Sequence, residues 1–306
     1  MRRIPAVAVL IAASLAAGIW VARREPPRAA VAATPADPAR GRGPSAPAMA
    51  TGTTAAEARE AGETGRVETA PRPAELVRRF HDAEDPAERA AALAAFRAAD
   101  PDNALGPYLA ASEAARRGDP IAAAAALVDA RLAGPMRKDD WGAVLEADEA
   151  LRAEGKPDAE AFAEAGGAWL DTRTTGELVE LGRGLGELQR IFVGLGEWDE
   201  ADFLLEGALD LGADLRASGT LLDNLAGAAV ERALLEPLDP DTVIGWDGER
   251  ASERLEALET ETAELRALGE TNARVRELDA AGWAEYRRRL AEEGERAALR
   301  WARDRR

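Results

Sequence analysis

From Pro73 onward, leucine and alanine recur at helical spacing, and this pattern constrains the fold more than any other feature. Apolar residues return every three or four positions, which places them on one face of an α-helix. Short groups of glycine, proline and aspartate interrupt the pattern. No segment shows the alternation with period two that is typical of strands. The sequence therefore predicts an all-α fold made of helical hairpins. The predicted helices run over about 73 to 82, 86 to 99, 104 to 117, 120 to 132, 139 to 154, 157 to 170, 175 to 195, 198 to 211, 214 to 235, 250 to 268 and 271 to 304.

The residue content excludes several kinds of chemistry. The chain has no cysteine, so disulfides, thiolate zinc sites, cysteine nucleophiles and an acylated lipoprotein anchor are excluded. The only histidine is His81, in a Phe-His-Asp-Ala-Glu-Asp segment, and we interpret it as a solvated residue at a helix end. We expect no metal and no cofactor. The aromatic content of 5% excludes a large aromatic core, and the abundance of alanine favours thin, closely packed helices.

The formal net charge is -17, which disfavours binding to nucleic acid or to anionic lipid. Although the chain is acidic overall, it has two groups of arginines near the C-terminus: Arg287, Arg288 and Arg289, and Arg300, Arg303, Arg305 and Arg306. They fit either a local site for an anionic partner or the cations that helix C-termini favour. The second interpretation needs no partner.

The segment 104 to 137 resembles a tetratricopeptide repeat, a unit of 34 residues with two helices. In an alignment without gaps, Ala110 and Ala111 fall at the Leu-Gly pair of the repeat pattern, Ala114 at the Tyr, and Pro135 at the terminal Pro. Pro107 replaces the Trp of the pattern, so large residues have become smaller. The positions of the turn and of the second helix also match: Gly118, Asp119, Ala123, Leu127 and Ala130.

A second segment, 182 to 215, is similar to the same repeat. Leu188 and Phe192 take the large positions of the first helix, and Gly196-Glu197-Trp198 forms the turn. Ala201, Leu205 and Ala208 follow in the second helix, whereas Ala213 replaces the terminal Pro. The resemblance implies that Ala201 and Ala208 allow the two helices to approach, while Phe192 and Leu205 fill the gap between them. Residues 70 to 103 match less well, and 138 to 181 fit a helical hairpin without matching the repeat pattern.

Beyond residue 215 no family pattern is visible. One helix there has six core candidates: Leu221, Leu222, Leu225, Ala229, Leu234 and Leu235. The following loop contains Asp239, Asp241 and Asp247, which fit turn formation better than a calcium site because the EF-hand order of ligands is missing. The last helices have a further set of core candidates: Leu255, Leu258, Leu265, Leu268, Val275, Leu278, Trp283, Leu290 and Leu299. These helices either cap the stack of hairpins, as a solenoid requires, or pair between chains as a coiled coil.

The N-terminal region predicts attachment to a membrane. Arg2 and Arg3 precede an uncharged run from Ile4 to Ala22, and Arg23 and Arg24 follow it. As a helix this run would span roughly 28 Å, close to the thickness of the bilayer core. We interpret 1–24 as a transmembrane signal-anchor; a cleaved secretory signal is the alternative. Residues 25–72 are rich in proline and alanine and predict a disordered linker, which leaves 73–306 as the repeat domain. We expect a bacterial inner-membrane protein with a single span and a periplasmic folded domain.

The resemblance to tetratricopeptide repeats also implies a function and a site. Such repeats bind proteins in a concave groove lined by the first helix of each hairpin. At those positions this chain has Tyr108, Ser112, Arg116, Arg190 and Val193. Each of these five residues also fits an ordinary packing or surface role.

We therefore expect a membrane-anchored module that binds proteins or scaffolds an assembly, and that is not an enzyme. The alternatives are a structural spacer that self-associates and, with less support, a hydrolase of envelope polymers that uses paired carboxylates. The glycines at 182, 184 and 186 lack the strand and the Lys-Ser or Lys-Thr of a phosphate loop, so we interpret them as a loosened helix start.

Overall fold

The structure is a computed structural model that describes residues 71–138, 140–244 and 248–305. The predicted membrane span at 4–22 and almost all of the predicted linker lie outside these residues. Among the described helices, none combines the length and the apolar character needed to cross a bilayer. The described residues are mostly helical with very little strand, which confirms the all-α class.

The elements follow one another along the chain with short connections. The helices are α1 Pro73–Asp82, α2 Pro86–Ala99, α3 Leu105–Arg116, α4 Pro120–Leu132, α5 Asp140–Ala153, α6 Asp158–Trp169, α7 Thr172–Leu195, α8 Trp198–Ala217, α9 Leu221–Leu235, α10 Ala251–Gly269, α11 Asn272–Val275, α12 Ala280–Glu293 and α13 Glu295–Asp304. Two short antiparallel strands, β1 Val243–Ile244 and β2 Glu249–Arg250, lie between α9 and α10.

Consecutive helices pack as hairpins, and local signals explain where each helix begins. Asp85 and Asp119 cap α2 and α4, because their carboxylates accept hydrogen bonds from the first backbone N–H groups of those helices. Gly118 and Gly196 have φ of 69° and 78°, a left-handed conformation that glycine adopts without strain. They form the turns of the α3–α4 and α7–α8 hairpins. These are the two turns that the sequence predicted.

Three apolar clusters form the core. The largest joins α1 to α4 with α7, α8 and part of α9. A second joins α5 and α6 to α10 through α13 and contains four neighbouring aromatic rings, from Trp141, Phe162, Trp283 and Tyr286. A third joins α9, β1 and α10. The C-terminal helices therefore cover the α5–α6 hairpin within the same chain.

The structure corrects several predictions for the C-terminal region. The predicted helix 214 to 235 is two helices, because Thr220 caps a new helix at Leu221. Leu222 is 48% exposed and Ala229 is also exposed, so neither belongs to the core. The predicted helix 271 to 304 is three helices, interrupted where Asp279 caps α12 and where Gly294 has φ of 82°. The strand pair β1–β2 was not predicted.

The glycines of α7 lie inside the helix rather than at a loosened start, so that interpretation was wrong. A Cβ at Gly182 would lie 2.6 Å from a methyl group of Val230, and one at Gly186 would lie 2.8 Å from Leu234. The glycines are therefore the positions at which α9 approaches the backbone of α7. Gly227 of α9 lies equally close to the backbone of α8 at Gly212.

Buried charges join helices that are distant in sequence. Lys138 Nζ lies 2.9 Å from Asp223 Oδ1, and both side chains are almost completely buried. Asp148 of α5, fully buried, binds Arg287 of α12 with both carboxylate oxygens. Glu231 of α9 pairs with Arg216 and Arg254. Removing one partner of such a pair leaves an unpaired buried charge, so these contacts strongly constrain how the helices dock.

Candidate functional site

Two of the five predicted groove residues lie in the core. Tyr108 is 1% exposed, and its hydroxyl donates a hydrogen bond of 3.0 Å to Asp214 Oδ2 of α8. Burial, together with the neighbouring Asp214 carboxylate, raises the pKa of Tyr108 far above its usual range. Ser112 is also buried. The buried residues of α3 lie on nearly its whole circumference, so α3 is a central helix and presents no open groove at these two positions.

The other three predicted residues have different environments. Arg116 is partly exposed but binds Glu113 and Glu177 at 2.7 and 2.6 Å. Val193 is half-buried and packs against the main core cluster. Arg190 is exposed, and its guanidinium has no ion-pair or hydrogen-bond partner among the described residues. Of the two arginines that the sequence singled out, only Arg190 has a side chain available for an external contact.

Arg190 lies beside a group of exposed apolar side chains at the turn between α7 and α8. Ile191 and Leu195 lie one turn apart on α7 and are 41% and 57% exposed. Trp198, the first residue of α8, is 61% exposed. We call Arg190, Ile191, Leu195 and Trp198 the turn patch. Tryptophan and arginine are the residue types that most often dominate the binding energy of protein interfaces, and here both are accessible.

A second exposed apolar surface runs along α4. Ile121, Val128 and Leu132 are 59%, 38% and 81% exposed, and Ala125 between them is exposed too. Their spacing of four, three and four residues places all four on one side of the helix. We call these four residues the α4 stripe. Beside the stripe, Arg131 joins α4 to the acidic side of α8 through Glu206 and Asp210.

His81 is not the solvated helix-end residue that the sequence suggested. Its side chain is 9% exposed, and Nε2 lies 2.7 Å from the hydroxyl of Thr174 on α7. Glu177 and Asp171 lie 3.6 and 3.9 Å from the ring nitrogens. Burial lowers the pKa of His81, and the two carboxylates oppose that shift. His81 therefore fastens α1 to the start of α7.

A polar cleft of about 930 Å³ lies between α1, the end of α6 and the loops around residues 137 and 218. Arg78 lies 4.1 Å from the ring centre of Trp169 and donates a hydrogen bond to the carbonyl of Ala168. Arg173 pairs with Asp82 and Arg137 with Asp100 at the edge of the cleft, each at 2.6 Å. The charged side chains of the cleft are thus largely occupied with one another.

The hydrolase alternative requires two carboxylates beside a space for substrate. Asp210 and Asp214, one turn apart on α8, have pKa values raised mainly by burial. Asp210 binds Arg131, however, and Asp214 accepts a hydrogen bond from Tyr108. Neither residue lines the cleft. Across the described ranges, no group of His, Asp and Glu side chains is arranged to hold a metal ion.

The arginine groups of the C-terminal helices are bound to carboxylates of the same chain. Arg287 binds Asp148 and Asp158, while Arg288 and Arg289 bind Glu285 on their own helix. Arg300 binds Glu264 of α10. In the preceding loop, Asp239 accepts a hydrogen bond from the backbone N–H of Asp241, and Asp241 pairs with Arg250. These contacts favour a structural role for the C-terminal arginines and for the acidic loop, rather than a site for an anionic partner or for calcium. Asp247 and Arg306 lie outside the described residues.

Comparisons with known proteins give no match: no family model, no curated protein and no solved structure is similar to this chain. The assignment to tetratricopeptide repeats therefore stays a prediction. Sequence reasoning missed the turn patch apart from Arg190, and it missed the α4 stripe. A helical-wheel signal existed for the stripe, because Ile121, Val128 and Leu132 lie on the side of α4 opposite Ala126 and Ala130, which are buried.

Proposed function

We propose that this chain is a protein-binding module in which tetratricopeptide-like helical hairpins form a rigid scaffold and the turn patch contacts the partner. The observation that carries the proposal is the exposure of Ile191, Leu195 and Trp198 beside Arg190, which is itself exposed. Exposing three large apolar side chains at one turn leaves apolar area in water. A partner that covers these side chains removes their apolar area from water, which favours binding.

The surrounding helices support the use of this surface. The inner side of the same hairpin is packed by Phe192, Ala201 and Ala208, so the turn patch is held by a rigid pair of helices. Within the described part of the chain the guanidinium of Arg190 has no partner, which suits a carboxylate on the partner protein because a fork of N–H donors matches that group. The proposed partner surface is therefore apolar with an acidic residue at its edge.

The proposal includes attachment to the bacterial inner membrane through the predicted span at 4–22, with the folded part held in the periplasm by the linker. Its support is the uncharged run between two arginine pairs. Fractionation of cells and protease protection of the full-length chain test this part. Recovery in the soluble fraction at full length would contradict it.

The test of the turn patch is capture of the partner by full-length variants. The double substitution Arg190→Ala and Trp198→Ala is expected to weaken capture by tenfold or more, roughly the loss of 1.4 kcal/mol or more. Two matched controls lie nearby: Arg183→Ala removes an exposed arginine of α7 that is bound to Glu180, and Leu222→Ala removes an exposed leucine of α9. Equal capture by the double variant and by the controls contradicts the proposal.

Self-association is the alternative, and the terminal helices give it little support. Leu290, Leu299 and Ala302 of α12 and α13 are buried inside the chain, so the apolar side needed for a coiled coil between chains is already covered. Sedimentation velocity of the full-length protein at several concentrations separates the two functions. A mass that rises with concentration and falls when α13 is altered would favour the spacer.

A further inference from the structure

The α4 stripe is an unpartnered apolar surface whose neighbourhood carries a distinctive charge. On the core side of α4, Leu127 and Ala130 are buried against the rest of the hairpin. On the opposite side, nothing among the described residues covers Ile121 or Leu132. The stripe extends over about three turns, or about 17 Å. This is long enough to receive one helix of a partner.

One edge of the stripe is bordered by an acidic row on α8. Arg131 of α4 lies 2.8 Å from Glu206 and 2.9 Å from Asp210. Met136, further along the chain, donates a backbone hydrogen bond to Asp214, one turn further along α8. The end of α4 and the loop that follows it therefore contact the same side of α8.

Carboxylates follow one another along this side of α8. Asp202, Glu206, Asp210 and Asp214 recur every four residues, which places them on one side of the helix. We call these four residues the acidic row. Glu206 and Asp210 are the members that lie at the edge of the stripe, where they bind Arg131.

The opposite edge of the stripe is also negative in part. Asp129 lies there, half-exposed, and binds Arg97 of α2 at 2.9 Å. Arg131 and Arg97 are the two cations at the edges, and both are already bound to these carboxylates. The acidic residues outnumber them. The surface is thus an apolar stripe with negative edges.

We infer that the α4 stripe and the acidic row of α8 form a docking site for a basic amphipathic helix of another protein. The apolar side of that helix covers Ile121, Val128 and Leu132, and lysines or arginines along its flank face Glu206 and Asp210. Mixed apolar and charge contacts of this kind are the usual way in which a helix is bound on a surface of helices.

The net charge of the chain favours a basic helix over two other possible occupants of the stripe. A second copy is disfavoured because each chain has a net charge of -17 and long-range repulsion opposes association. An anionic lipid surface is disfavoured for the same reason. The site is distinct from the turn patch, and its contacts involve neither Arg190 nor Trp198.

The inference is tested with a fluorescent synthetic peptide of about four helical turns that has leucines at the spacing of the α4 stripe and lysines along one flank. Binding to the full-length protein is measured by fluorescence anisotropy at low and high salt. A second peptide has glutamates in place of the lysines, and a third has the same charge with the leucines scrambled. We expect the first peptide to bind at least tenfold more tightly than either of the others, with affinity that falls as salt is added.

Variants locate the contact. Ile121→Ala with Leu132→Ala is expected to reduce the affinity about tenfold, and Glu206→Gln with Asp210→Asn to reduce both the affinity and its salt dependence. Leu222→Ala and Glu180→Gln, which remove an exposed leucine and an exposed carboxylate elsewhere, are the matched controls and should bind as the wild type does. Equal binding of the lysine and glutamate peptides, or affinity unchanged in both double variants, overturns the inference. A dimer in sedimentation that is lost in Ile121→Ala with Leu132→Ala also overturns it, because the stripe then binds a second copy.

Discussion

Gly182 of α7 lies so close to Val230 of α9 that a Cβ on the glycine would meet a valine methyl group at 2.6 Å. Gly186 and Leu234 repeat this relationship one turn later. Since α9 packs against both helices of the α7–α8 hairpin, these two contacts determine how closely the third helix lies on the hairpin. The turn patch is at the far end of the same two helices, so its geometry depends on this packing.

The close approach predicts opposite effects for neighbouring glycines. Gly182→Ala should destabilise the protein by about 1 to 3 kcal/mol, because the added methyl group forces α7 and α9 apart. Gly184, two residues away, has open space around it, so Gly184→Ala should be neutral or should stabilise by up to about 1 kcal/mol through helix propensity. Urea unfolding followed by circular dichroism measures both. Equal effects of the two substitutions would show that the approach of α9 is not tight.

The buried Lys138–Asp223 pair predicts a large loss of stability when only one partner is removed. Lys138→Met leaves the fully buried Asp223 carboxylate without its cation and should cost about 3 to 5 kcal/mol. Lys156→Met is the control, because Lys156 pairs with the half-exposed Glu164 and water screens such surface pairs, so they contribute little to stability. A loss for Lys138→Met as small as that of the control would argue against the buried pair.

Glu295 predicts a component of stability that decreases as the pH rises. Burial is the main reason that the pKa of Glu295 is raised to about 7. The backbone N–H of Leu221 donates a hydrogen bond of 2.5 Å to Oε2, which lowers this pKa, and the negative charge of Asp223 raises it. The folded state therefore holds the proton more tightly than the unfolded state, whose pKa is that of an ordinary glutamate. Below about pH 4 the Glu295 carboxyl is neutral in both the folded and the unfolded state. Between about pH 4 and pH 7 it ionises more readily in the unfolded state, so the free energy of unfolding falls as the pH rises.

Glu295→Gln removes this component while retaining an acceptor for the N–H of Leu221. The variant should gain stability relative to the wild type as the pH rises, by roughly 2 to 3 kcal/mol between pH 5 and pH 8. Urea unfolding of both proteins across this range gives the difference. A constant difference would place the pKa of Glu295 near its ordinary value. His81 contributes with the opposite sign in both proteins, since its lowered pKa removes stability as the pH falls below about 6.5.

Helix positions were predictable because they depend on local signals. The segments 86 to 99 and 120 to 132 were predicted with the bounds that α2 and α4 have, since an aspartate-proline pair begins each of them. The breaks at Thr220 and Gly294 were missed. In both regions apolar spacing continues across the break, and only the cap and the positive φ interrupt the helix.

The environment of a side chain was harder to predict, because it depends on contacts between distant parts of the chain. Tyrosine is a residue type that often binds partners, but Tyr108 is buried here. Its hydroxyl donates a hydrogen bond to Asp214, which lies 106 residues further along the chain. His81 is enclosed by Thr174 and Glu177, again about ninety residues away. The resemblance to the repeat family predicted that Arg190 lines a groove, and among the described residues no distant side chain covers it. Of the turn patch, only Arg190 was named from the sequence, because the exposure of Ile191, Leu195 and Trp198 also depends on which distant residues pack nearby.

The most direct test of the proposed function is photocrosslinking of the full-length protein in its native cells, with Trp198→benzoylphenylalanine compared with Leu222→benzoylphenylalanine. The first position lies in the turn patch and the second on an exposed part of α9 outside it. We predict a discrete adduct with one partner protein from position 198, absent from position 222 and lost when Arg190→Ala is added. No adduct from position 198, or the same adducts from both positions, would contradict a partner-binding role for this surface.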